Sequence, residues 1–89
     1  MAEVHLDAML REFASRTELR TGATTVSALF DELEREFPRL RFKLRDETGT
    51  LRRYVRVFVD GEDVSGTTGV QTSLTGASEV DILHSIAGG

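Results

Sequence analysis

Apolar residues follow two rhythms along this chain. Near the start, Val4, Leu6 and Ala8 alternate with His5, Asp7 and Met9. A period of two marks a strand with one buried face. A polar stretch, Arg11 to Arg16 with Phe13 inside it, leads to a second short strand over Thr17 to Arg20, with Leu19 inward. The two strands read as a hairpin, and Thr21-Gly22-Ala23 breaks the pattern. The period then changes. Val26, Leu29, Phe30, Leu33 and Phe37 recur at helical spacing and form one apolar stripe. Thr24 or Thr25 is placed to cap that helix, and Pro38 stops it at Phe37 because the residue before proline avoids the helical region. Asp31 and Arg35, four apart, are positioned to pair on its outer side.

Arg39 to Arg53 is a mostly polar connection with a turn at Asp46-Glu47-Thr48-Gly49. Its length predicts a local turn or short helix, with Leu40, Phe42, Leu44 and Leu51 tacking it to the domain. Tyr54 to Val59 carries the strongest strand signal, rich in β-branched and aromatic residues. Its period puts Val55, Val57 and Val59 on one face and Tyr54, Arg56 and Phe58 on the other. Asp60-Gly61 is a favoured two-residue hairpin turn, leading to a short strand over Glu62 to Val64. A Gly/Thr-rich loop from Ser65 to Thr72 follows, anchored by Leu74. After the turn Thr75-Gly76-Ala77-Ser78, the last strand runs from Glu79 to Ile86, with Val80 and Ile82 inward and Asp81 and Leu83 outward.

The order is strand, strand, helix, strand, short strand, strand. One helix packed across a mixed sheet of four to five strands is the two-layer α+β solution. That order is the order of the β-grasp, or ubiquitin-like, fold. Eighty-nine residues make one domain, taken as residues 1–86, with Ala87-Gly88-Gly89 as a flexible tail.

Composition narrows the chemistry. There is no cysteine, which removes disulfides, a Cys nucleophile and thiolate metal sites. No Ser/His/Asp set and no Gly-rich phosphate loop is present, so no catalytic residues are assigned. His5 and His84 lack clustered metal-ligating partners, and no metal site is expected. Net charge of −4 argues against a nucleic-acid or membrane-surface binder. With no long apolar run and no signal-peptide core, a cytoplasmic protein is the simplest expectation. Lys43 is the only lysine among eleven basic residues, so chains built on this protein's own lysines are poorly supported.

The ending Gly88-Gly89 carries the functional signal. Glycine lacks Cβ, so such a tail can thread a channel too narrow for other residues. Its carboxylate is a poor electrophile until converted to an acyl-phosphate anhydride. The same ending is also compatible with an ordinary terminus.

Tail and element order together resemble the MoaD/ThiS sulfur-carrier branch of ubiquitin-like proteins. The stretch Gly49-Thr50-Leu51-Arg52-Arg53-Tyr54-Val55-Arg56-Val57-Phe58-Val59-Asp60-Gly61-Glu62-Asp63-Val64 looks like that family's loop, central strand and hairpin. Asp81 to Gly89 is similar to its last strand and Ala-Gly-Gly tail. Two places depart from the family's habits. Thr75-Gly76-Ala77-Ser78 stands where members often carry acids, and His84-Ser85 stands where one subgroup often has a proline.

The resemblance implies a protein cosubstrate rather than an enzyme. An E1-like adenylating enzyme would transfer AMP from ATP to the Gly89 carboxylate, and a sulfur donor would convert the adenylate to a thiocarboxylate. A sulfur-accepting biosynthetic enzyme would consume it in forming cysteine, a cofactor or a secondary metabolite. The carrier itself binds no cofactor; ATP belongs to the partner. Ile86, Ala87 and Gly88 would be presented to that partner with Gly89. Tyr54, Arg56, Phe58 and Leu83, read as neighbours on the outer sheet face, make a candidate docking patch. Two other readings stay open: a ubiquitin-like modifier joined through Gly89 to lysines, and a plain β-grasp interaction domain.

Overall fold

A computed structural model describes residues 1–14, 16, 18–65 and 69–84. Five strands form one mixed sheet: β1 (Ala2–Leu6), β2 (Glu18–Thr21), β3 (Val55–Val59), β4 (Glu62–Asp63) and β5 (Glu79–His84). Two helices accompany them, α1 (Ala8–Ala14) and α2 (Val26–Glu36). The spatial order is β2-β1-β5-β3-β4. β1 and β5 run parallel, and the other neighbours are antiparallel. This is the β-grasp arrangement expected from the order of elements. The last strand therefore lies at the centre of the sheet, hydrogen-bonded on both sides.

Alternation decides which sheet face is buried. Val4 and Leu6 of β1, Val80 and Ile82 of β5, and Val55 and Val57 of β3 all face α2 and are almost fully enclosed. Val26, Leu29, Phe30 and Leu33 meet them from the helix. Each such side chain contributes on the order of 1.5–3 kcal/mol by leaving water. Thr25 caps α2: its hydroxyl accepts from the Ala28 N–H. Asp60 (φ 53°) and Gly61 (φ 85°) form the turn between β3 and β4, both with the positive φ that a type I′ turn requires.

Several expectations need correction. The alternation read through Ala8 stops at Leu6, and residues 8–14 form α1, not a polar stretch between hairpin strands. β1 and β2 do pair antiparallel, from Ala2↔Thr21 to His5↔Glu18, but across a helical connection. Thr17 lies outside the described residues. β3 begins at Val55, β4 ends at Asp63, and β5 is described as far as His84. Asp31 pairs with Arg45, not Arg35. In the 39–53 connection, a 3₁₀ turn at Pro38–Leu40 supplies the local structure. Leu40 and Leu44 are buried there, but Phe42 is 51% exposed. Its φ of 64° turns the side chain away from the core.

Arg45 fastens this connection to α2. Its Nη2 donates to Asp31 Oδ1 at 2.8 Å and Glu34 Oε1 at 3.0 Å, and its Nε donates to Glu34 Oε2 at 3.1 Å. The guanidinium also lies over the Phe30 ring, 5.5 Å from its centroid. Burial opposes the charge, but the hydrogen bonds to Glu34 and Asp31 outweigh it and raise the Arg45 pKa above its ordinary value.

Candidate functional site

The site residues expected from the sequence fall in two regions: the outer face of β3 and β5, and the sequence that follows β5. On the outer face, the register sets Arg56 opposite Leu83 and Phe58 opposite Asp81. Phe58 and Leu83 are thus diagonal neighbours, within reach of one another's side chains. Leu83 is 39% exposed and Phe58 half-buried. Arg56 is exposed, with Nη1 4.0 Å from Asp63 Oδ2. Asp63 is held below the usual carboxylate range chiefly by hydrogen bonding from Ser65, with a smaller contribution from Arg56. The face thus sets an apolar pair beside a cation.

Tyr54 does not join that patch. It precedes the first residue of β3, in a turn, so strand alternation does not govern it. Its ring packs against the core and lies 4.7 Å from the His84 ring, tilted by 55°. Further along the outer face, His5 Nε2 stands 3.7 Å from Glu3 and 3.9 Å from Glu79. Among the described residues, no group of three or more His, Cys, Asp or Glu side chains could hold a metal ion. Nor is any helix among them long and apolar enough to cross a membrane.

The end of β5 is held from two sides. His84 pairs with Val55 of β3, and its backbone N–H donates to Asp7 Oδ2. Asp7 Oδ1 accepts the Leu10 N–H at 2.9 Å, capping α1. Strand alternation gives no sign of this contact, because the position of Asp7 fits it. The signal that could have found it is an Asp three residues before Leu10, with Leu10 and Ala14 four apart on a helix face. Ile86, Ala87, Gly88 and Gly89, and with them the boundary between domain and tail, lie outside the described residues.

Comparison with known proteins places these features in context. A family profile described as the ThiS family matches residues 4–89. The sulfur carrier protein CysO of Mycobacterium tuberculosis is 33% identical over 67 residues, covering 73% of this chain and 72% of that protein. Among solved structures, a chain in the BexX/CysO complex of Amycolatopsis orientalis superposes with a TM-score of 0.87 at 24% identity, over 100% of both chains. Small archaeal modifier protein 1 of Methanosarcina acetivorans gives 0.86 at 24% identity, over 99% of this chain and 95% of the other. At such identities the two structural likenesses speak to fold.

Proposed function

The chain belongs to the ThiS family of ubiquitin-like sulfur carriers, and on that premise we propose that its Gly89 carboxylate is the sulfur-carrying group. An E1-like enzyme joins AMP from ATP to this carboxylate and releases pyrophosphate. A sulfur donor then displaces AMP and leaves a thiocarboxylate. A biosynthetic enzyme takes the sulfur, and the carboxylate returns when the spent acyl group is hydrolysed. The observation that carries the reading is the family match running through to Gly89.

The folded body's part is recognition and delivery. Arg56, Phe58 and Leu83 form the docking patch, on the face opposite α2. In sequence β5 leads from that patch to residues 85–89, so a partner seated on Leu83 is six residues from the reacting carboxyl. Six residues of chain span at most about 22 Å, which bounds the distance between dock and active site. Tyr54 acts instead from behind, packing on His84. Gly89 leads into the partner's channel with Gly88, Ala87 and Ile86 behind it, where absence of a Cβ at the last two positions permits a narrow passage.

ATP–pyrophosphate exchange by the adenylating enzyme, stimulated by this protein, tests the first step. The proposal expects exchange with the full chain and none after removal of Gly89. Equal exchange with and without Gly89 would reject it.

A further inference from the structure

We infer that Asp7 is a positioning residue that anchors His84, five residues before Gly89. The inference rests on the reading just given for Gly89. In a parallel ladder, a bridging residue donates its N–H to one neighbour and accepts, on its C=O, from the residue two further along that neighbour. Asp7 performs the first half: its N–H donates to Ile82 O at 3.2 Å. The second half would have His84 N–H donate to Asp7 O. That carbonyl is already engaged, because the chain turns into α1 and Asp7 O accepts from the Arg11 N–H at 3.0 Å.

The Asp7 side chain fills the missing rung. Oδ2 accepts the His84 N–H at 2.5 Å while Oδ1 caps α1 through Leu10. One carboxylate thereby extends β1–β5 pairing by a rung beyond the end of β1 and ties it to the start of a helix. Arg11 Nε closes the same corner by donating to Leu6 O at 3.1 Å. The His84 ring is set by Tyr54. Its Nδ1 is the one buried side-chain polar atom among the described residues without a hydrogen-bond partner. The ring is therefore placed by its tilted contact with Tyr54, and the carboxylate rung is what holds this residue's backbone on the β1 side.

His84 lies five residues before Gly89 in sequence. Freeing its backbone from Asp7 loosens the anchor from which Gly89 is offered to the partner's active site. Loss of orientation costs rate in the chemical step, whereas the docking patch on Arg56, Phe58 and Leu83 is untouched.

Asp7→Ser separates the two duties, since serine is a good helix cap but is too short to bridge to His84 as well. Amide exchange of the full chain should show His84 exchanging about tenfold faster in the variant, the loss of one charge-assisted bond. The Leu33 amide in α2 should not change. Asp7→Asn, with a single acceptor oxygen, should fall between. In activation assays with the adenylating enzyme, Asp7→Ser should lower kcat about tenfold at unchanged KM. Unchanged exchange at His84 overturns the rung. Faster exchange with unchanged kcat overturns the positioning role. Parallel losses in kcat, KM and Leu33 protection mean a merely structural residue, and also overturn it. If the unaltered protein is not activated at all, the reading of Gly89 fails, and exchange at His84 still decides the rung.

Discussion

Replacing Arg45 by methionine should be the most costly single change in the connection between α2 and β3. The arginine side chain is 10% exposed and makes two hydrogen bonds to Glu34 and one to Asp31. The two partners are not equivalent. Asp31 is 63% exposed, so its share is of the order of 0–1 kcal/mol, as for surface pairs. Glu34 is 19% exposed, and removing Arg45 leaves its carboxylate mostly enclosed and unpaired. A charge-assisted bond of that kind contributes about 1.5–3 kcal/mol. Methionine keeps much of the apolar stem, so little cavity is added, although the guanidinium contact with the Phe30 ring is lost. The sum is about 1.5–4 kcal/mol. For a domain of this size, each kcal/mol moves Tm by about 4–8 °C, and Tm should fall by about 6–30 °C. Thermal unfolding followed by circular dichroism measures this. A double-mutant cycle with Glu34→Gln isolates the pair. Replacing both residues by apolar ones (Arg45→Met with Glu34→Leu) should recover much of the loss, because no buried charge is then stranded. A fall in Tm of less than about 3 °C for Arg45→Met, or a cycle coupling near zero, would refute the reasoning.

Two further predictions follow from the outer face and the 46–50 turn. Phe58→Ala and Leu83→Ala should leave the fold intact yet weaken binding to the adenylating enzyme about tenfold or more, read by calorimetric titration; unchanged affinity in both would remove the docking patch. Asp46 accepts from the Thr48 hydroxyl and from the Thr48 and Thr50 N–H groups, and its pKa is lowered, led by the Thr48 side-chain bond. A lowered folded-state pKa means a contribution present above the unfolded value of about 3.9 and lost as pH falls through the folded one. The stability difference between the parent and Asp46→Asn should therefore be constant near neutrality and shrink below about pH 4; a difference that grows with acidification would contradict the assignment.

The sheet and α2 were legible because their signals are periodic. Val26 to Leu33 and Val55 to Val59 each bury one face, and Asp60-Gly61 has the chemistry its turn requires. The corner at Asp7 was not legible for a physical reason: Ala8 continues the strand alternation, while the α1 that contains it buries only Leu10 and Ala14. Arg45 escaped because its partners lie eleven and fourteen residues away, beyond any helical spacing rule. Phe42 is apolar like Leu40, Leu44 and Leu51, which composition alone assigns to tacking down the connection, but its positive φ goes with an exposed side chain. Tyr54 was assigned to the outer face by extending strand periodicity one residue into a turn. At the candidate site, Arg56, Phe58 and Leu83 share the face that alternation gave them, and Gly89 was read from sequence alone.

The account turns on the fate of one carboxylate. The direct test is intact mass spectrometry of the protein after incubation with ATP, a sulfur donor and a competent adenylating enzyme of the E1-like class, with fragmentation to locate any change. One oxygen should be replaced by sulfur on the C-terminal fragment ending in Gly89, with no replacement when Gly89 is removed. An unchanged mass under conditions where that enzyme charges another ThiS-family carrier would contradict it. So would recovery of Gly89 in isopeptide linkage to lysines of other proteins with no thiocarboxylate formed.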